Sequence, residues 1–208
     1  MSYLYFQMPV NKEHIYEPGI YFITFTNYKW LPLFKITNAY DLVYNWFDAL
    51  KPMGHSVLGY VIMPNHVHAL IGFVETKKSI NTIIGNGKRF IAYDIVDRLQ
   101  KADDTEMLKI LADGVSPSDK RRGKLHELYE PSFDIKLCRT YKFVKQKLDY
   151  MHTNPVSKKW RLVDNFTDYM HSSAGFYEEG RQGIYEVVHV NDWIYEHWKH
   201  ISGKEEMA

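Results

Sequence analysis

A single cysteine, Cys138, among 208 residues excludes an internal disulfide and any cysteine-based zinc site, and it suits a reducing compartment. Any metal site must therefore draw on His, Asn, Gln, Asp or Glu. No apolar stretch approaches the roughly 20 residues that a membrane-spanning helix needs, and the N-terminus lacks a basic segment followed by an apolar one. Neither secretion nor membrane insertion is expected, and a cytoplasmic location is. Internal repeats and low-complexity tracts are also missing. Net charge is nearly absent at +1, so the overall balance says nothing about nucleic acid. What is present, 45% hydrophobic and 25% charged residues, is ordinary globular composition, and the length suffices for one well-formed core. Leu4-Tyr5-Phe6-Gln7 resembles the remnant of a protease-cleavage tag, with Met8 as an alternative start. The first seven residues carry no functional signal.

The distribution of charge says more than its sum. Residues 120–161 hold 12 basic against four acidic side chains, a local +8, so the rest of the chain carries −7. Such a window is either a solvated face or a surface for a polyanion. Beyond Leu162 the chain turns acidic, nine Asp or Glu against three Lys or Arg, with a short helix expected over 192–200 and no obvious chemistry.

Periodicity predicts the element order. Gly19–Thr26, rich in aromatic and β-branched residues, reads as a central strand. Leu42, Val43, Trp46, Phe47 and Leu50 space an amphipathic helix over 39–50. Ser56–Ile62 and His66–Phe73 flank Met63-Pro64-Asn65 and predict an antiparallel hairpin. A second helix follows over 79–99, with Ser79 as N-cap and Gly85 and Gly87 weakening its first half. Residues 101–124 read as an exposed insertion, with a short helix over 105–111 and the basic run Lys120-Arg121-Arg122-Gly123-Lys124. A strand over 133–138 completes the sheet. Strand, helix, strand, strand, helix, strand is the order of a ferredoxin-like α+β sandwich with an antiparallel sheet.

The chemistry gathers at two places. Residues i and i+2 of a strand share a face, so His66 and His68 point together while Val67, Ala69, Ile71 and Phe73 form the opposite, helix-covered side. The pair is either a metal site short of a third ligand or two ordinary half-buried histidines. Far downstream, Tyr150 and Asn154 are helical i, i+4 neighbours. The helix's apolar stripe runs through Tyr141, Val144, Leu148 and Met151, leaving Tyr150 off it with Gln146, Lys147 and Asn154, although Phe143 shares that face. Tyr150 is a nucleophile or a packing residue. Asn154, preceding Pro155, is a ligand or the end of the helix.

Taken together, His66-Val67-His68 after Met63-Pro64-Asn65, the segment from Asp149-Tyr150 to Pro155-Val156, and Asp168-Tyr169-Met170-His171-Ser172-Ser173 resemble the HUH single-tyrosine transposases, in particular the REP-associated branch. The resemblance implies a ferredoxin-like palm over 19–162, with 101–124 inserted into it, an N-terminal extension 1–18 and an acidic C-terminal extension 163–208. It implies His66, His68 and Asn154 as ligands of Mg²⁺ or Mn²⁺, and Tyr150 as the nucleophile. It also implies single-stranded DNA, as a hairpin, as the substrate, cleaved and rejoined through a 5′-phosphotyrosine. A tyrosine phenol of ordinary pKa is roughly one part in a thousand ionised at pH 7, so either the phenolate must be favoured at the site or the phosphate made easier to attack, and a divalent cation does the latter. Lys142, Gln146, Lys147, Arg121 and Arg122 are the candidate DNA contacts. Tyr150 lies 82 positions after His68, a longer interval than is usual for that family, and the excess falls in the 101–124 insertion. The tyrosine helix can belong to the same subunit or be exchanged across a homodimer.

Three rivals stand beside this reading. A histidine-triad hydrolase needs a third histidine where this chain has Leu70. A domesticated protein that binds DNA hairpins without cutting would keep the basic window. A structural metal site with a packing tyrosine would bind metal tightly without DNA. Aromatic residues such as Trp30, Phe90 and Tyr129 could stack on bases, with core packing as the ordinary alternative.

Overall fold

Four strands form one antiparallel sheet in the order β2-β3-β1-β4, seen in a computed structural model that describes residues 15, 17–131 and 134–198. The tag-like segment and its Met8 lie outside the described residues. Strands β1 (Gly19–Thr26), β2 (Ser56–Ile62) and β3 (His66–Phe73) occupy the ranges their alternation predicts. β1 is central, paired along its whole length with β3 and on its other side with β4 (Asp134–Leu137). Phe133 lies outside the described residues, while Cys138 N continues the ladder to Ile20 O at 2.8 Å. This is the ferredoxin-like sandwich.

One face of the sheet packs on two helices, α2 (Tyr40–Leu50) and α3 (Ile80–Lys101). Tyr21, Ile23 and Phe25 of β1 and Val67, Ala69, Ile71 and Phe73 of β3 meet Val43, Trp46, Phe47, Ile84 and Ile91 there. Ser79 caps α3, its hydroxyl accepting from Thr82 N at 3.3 Å. Gly87, which weakens the helix locally, gives room to the Trp46 indole, against which any Cβ would collide. A short helix α1 (Leu33–Ile36) precedes α2 and buries Leu33 and Phe34. Residues 101–124, expected as an exposed insertion, fold into α4 (Thr105–Asp113) and α5 (Pro117–Arg121). The stretch is not wholly exposed, because Leu111 is buried in the same core.

The opposite face, which carries the histidines, is covered as well. Alternation alone leaves that side open, but the apolar stripe of α6 (Tyr141–His152) needs a partner. Val144, Leu148 and Met151 pack on Leu58, Val61 and Leu70. A bulge between Val57 and Gly59 shifts β2 by one residue, so that Val57 joins the first core with Tyr60 and Ile62, while Leu58 and Val61 join the second.

The acidic C-terminal segment has a structural task. Ile62 N donates to His171 O (2.8 Å), Ser173 N to Tyr60 O (3.0 Å) and Val188 N to Val57 O (3.1 Å), so this stretch occupies the otherwise open edge of β2. Tyr185 and Val187 enter the first core. The helix α7 (Ala174–Glu179) follows the motif at 168–173, and α8 (Val190–Trp193) leads into a π turn, Ile194–Trp198. The expected helix over 192–200 therefore begins two residues earlier, and its last two residues lie outside those described. No helix of the described residues is long and apolar enough to cross a membrane.

Trp193 is completely buried and lies flat against β3 at Gly72, where a Cβ would stand 2.6 Å from the indole Nε1. The ring is rigid and cannot give way. Gly72→Ala is expected to lower stability by roughly 1–3 kcal/mol, as overpacking of a filled core does. The urea midpoint of the variant measures this, and an unchanged midpoint would mean that Trp193 does not hold the segment down.

Candidate active site

The β1–β3 register aligns Thr24 with His68 and Thr26 with His66, so the two imidazoles stand on a sheet face whose neighbouring strand supplies a hydroxyl. Both histidines are 4% exposed, and their ring centroids are 4.8 Å apart. Each uses the same nitrogen for support. Asn65 Oδ1 lies 2.7 Å from His66 Nδ1. An amide oxygen only accepts, so Nδ1 carries the proton and the Nε2 lone pair is open. Thr24 Oγ1 lies 2.8 Å from His68 Nδ1, and with the hydroxyl as acceptor the second Nε2 is open too. Outer contacts of this kind are what orient metal-ligating imidazoles.

Both rings are held neutral. Burial pulls the pKa of His66 down to about 4, helped by the Lys159 ammonium. Burial, then His66 and Lys147, pushes that of His68 well below the ordinary value. Neutral imidazole is the form that donates a lone pair to a metal.

Tyr150 reaches this pair across 82 residues of sequence. Thr140 caps α6, its hydroxyl accepting from Phe143 N at 3.2 Å, and the spacing 143, 147, 150 puts Phe143, Lys147 and Tyr150 on one helix face. Phe22 stacks on His68 at 5.3 Å with an interplanar angle of 21°. The Tyr150 ring meets His68 edge-on at 5.2 Å and Phe22 at 6.2 Å. Lys147 Nζ lies 4.9 Å from the Phe22 centroid and 5.6 Å from that of Tyr150. Tyr150 remains 51% exposed, so it is a reachable phenol beside buried bases, with all of these groups in a single chain.

The remaining predicted residues are spread more widely. α6 ends at His152, and Asn154 opens a 3₁₀ turn, Asn154–Val156. Its Nδ2 donates to Tyr150 O at 3.3 Å. Asn154 thus closes the helix end, with its Oδ1 turned to no other group among the described residues. Lys142 and Gln146 are exposed on α6. Arg121 and Arg122 are not brought to the histidines. Arg122 pairs with Asp119 and lines a cavity against α3, the helix on the other side of the sheet.

Several neighbours had no signal in the spacing of the motifs. Thr24 follows from the register, and Asn65, visible in sequence as a turn former, orients His66. Trp30 and Trp160 stand 6.0 and 5.7 Å from His66, and Lys159 Nζ lies 4.0 Å from the Trp30 centroid.

Among the described residues no group of three or more His, Cys, Asp or Glu is poised for a metal, so a third ligand among them would come from another residue type, such as an amide, a carbonyl or a hydroxyl. Two oriented, neutral imidazoles with free Nε2 atoms fit a divalent cation as a partial ligand set that leaves positions open.

A ferredoxin-like sheet with a buried histidine pair, faced by an exposed tyrosine on a covering helix, defines the class of architecture. The same fold occurs in the solved structure of a REP-associated tyrosine transposase bound to a REP hairpin. That structure is similar at 17% sequence identity with a TM-score of 0.57, over 97% of this chain and 99% of that one. No protein-family model matches the chain, and no curated protein does.

The depressed histidines make stability depend on pH. Between the ordinary pKa of 6.5 and about 4, the unfolded chain binds a proton at His66 that the folded chain refuses, so stability is complete above that window and falls as pH drops through it. His152 and His171, also pulled to about 4 by burial, act in the same direction. Thermal melts from pH 7 to pH 4.5 are expected to show a falling Tm. A flat or rising Tm would contradict the burial of these rings.

Proposed function

We propose that this protein is a metal-dependent single-stranded DNA endonuclease and transposase that cleaves and rejoins strands through a 5′-phosphotyrosine at Tyr150, with hairpin DNA as its target. The observation that carries the reading is the Tyr150 ring, exposed and 5.2 Å from His68, beside two buried imidazoles with their Nε2 atoms free. The fold shared with a REP-associated transposase bound to a REP hairpin supports the choice of substrate.

His66 and His68, through Nε2, and Asn154, through Oδ1, would hold Mg²⁺ or Mn²⁺. Such an ion, when bound, supplies Lewis-acid charge to the scissile phosphate oxygens. The three protein ligands are neutral, so they cancel none of that charge, and they predict weak metal binding until DNA adds its own oxygens. The Tyr150 oxygen forms a bond to phosphorus as the bond from phosphorus to the 3′ oxygen breaks. The phenol proton is lost to solvent and the departing 3′ oxygen takes one up. Rejoining runs the same exchange in reverse with another 3′-OH, so no nucleotide cofactor is consumed. Lys147, whose ammonium lies 5.6 Å from the Tyr150 ring centroid, supplies a positive charge for the phosphate brought to that ring. Lys142 and Gln146, exposed on the same helix, serve the flanking phosphates. Arg121 and Arg122 meet more distant parts of the hairpin.

A denaturing gel with labelled hairpin DNA and Mn²⁺ tests this. The native chain is expected to give a slow covalent band that disappears without metal, in Tyr150→Phe and in His66→Ala. A native-gel shift with no adduct on any hairpin would mean a DNA-binding protein that does not cut.

A further inference from the structure

Two consecutive residues beside the histidine pair hold left-handed backbone, and neither is glycine. Lys29 has φ 50° and Trp30 φ 58°, a conformation that persists only where surrounding contacts enforce it and that gathers at functional sites. The enforcement here is explicit. Trp30 N donates to Asn27 O at 3.0 Å, Lys29 N to Glu130 Oε1 at 2.6 Å, and Asn65 Nδ2 to Trp30 O at 2.9 Å.

The side chain held in this way is nevertheless 52% exposed, so core packing does not account for it. The Trp30 ring faces His66 at 6.0 Å. Across from it, Trp160 lies 5.7 Å from the same imidazole. The Lys159 ammonium rests over both indoles, 4.0 Å from Trp30 and 5.2 Å from Trp160. The segment that carries Lys159 and Trp160 also contains a left-handed residue, Arg161, with φ 43°.

We propose that Trp30, with Lys159 and Trp160, is the stacking seat for an unpaired base of single-stranded DNA next to the scissile phosphate. The proposal rests on the nuclease reading and adds the residues that seat the base. An exposed indole offers its face to any base, so the seat tolerates sequence. Lys159, now over an indole, gains a stronger partner when the nucleotide brings its phosphate. Glu130, the nearby carboxylate, accepts from Lys29 N through Oε1 and so helps to hold the turn. Asn65 ties the seat to the chemistry, because one amide anchors the Trp30 carbonyl and orients His66.

The test uses a Tyr150→Phe chain, which binds without cutting, titrated with short single-stranded oligonucleotides carrying 2-aminopurine at successive positions. One position is expected to be quenched. Adding Trp30→Ala removes that quench and weakens binding about tenfold, the usual scale for one lost stacking contact, while Trp30→Phe restores most of both. Lys159→Gln, which leaves the strained backbone untouched, weakens binding and lowers its salt dependence. It decides the matter together with Trp30→Phe if Trp30→Ala does not fold. Equal quenching and affinity with and without Trp30 overturn the seat, as does absence of any binding by the Tyr150→Phe parent. If the native chain forms no covalent adduct while the Trp30-dependent quench persists, the nuclease reading fails and the stacking seat stands.

Discussion

The geometry of the site depends on the eight-residue antiparallel pairing of β1 with β3. This ladder puts Thr24 opposite His68 and brings Phe22, two residues earlier on the same face, under the His68 ring. A slip of one residue would turn Thr24 and Phe22 to the α2–α3 side and strand Ile23 beside the imidazole. Register is secured because β1 and β3 present apolar side chains to a filled core on one side and to α6 on the other. The burial that stabilises the sheet therefore also positions the polar atoms of the site.

Burying two imidazoles under a helix is tolerable only when their polar atoms are satisfied or still reach solvent. Asn65 and Thr24 take the Nδ1 atoms, and neither Nε2 is among the buried polar atoms left without a partner. The same burial keeps the rings uncharged, and the ammonium groups of Lys147 and Lys159 add to the effect. Neutral donors with the cations of Lys147 and Lys159 at their rim suit an anionic ligand that brings its own oxygen atoms. The rim residues come from α6 and from the turn that follows it, so one continuous segment supplies the phenol, the charge and the second indole.

Much of this was legible in the chain. The strands alternate with period 2, so their limits and the shared face of His66 and His68 follow from the residues. The stripe on α6 leaves Tyr150 outward for the same reason. Other features had no local signal. The bulge at β2 is one residue long and hidden within an apolar run. The acidic C-terminal stretch has weak periodicity because it pairs with a strand edge by backbone hydrogen bonds, which any side chain allows. Trp30 reads as a core residue in sequence because a large indole usually is one, and only the clamped turn keeps it at the surface. Arg121 and Arg122 share a basic window with Tyr150 yet lie across the sheet from it, since proximity in sequence does not survive a crossover between layers.

The amino-acid sequence by itself determined the order of the main strands and helices, the antiparallel ferredoxin-like sheet and the residue types of the candidate site, because these depend on local periodicity and short-range spacing. Only the tertiary structure decided that Tyr150 meets His68 within one chain, that both faces of the sheet are covered, and that Asn65 holds His66 and Trp30 together. Those are contacts between segments far apart in the chain, 82 residues for Tyr150 and His68. They are set by how α6 packs across the second face of the sheet, a long-range packing that local sequence patterns do not encode.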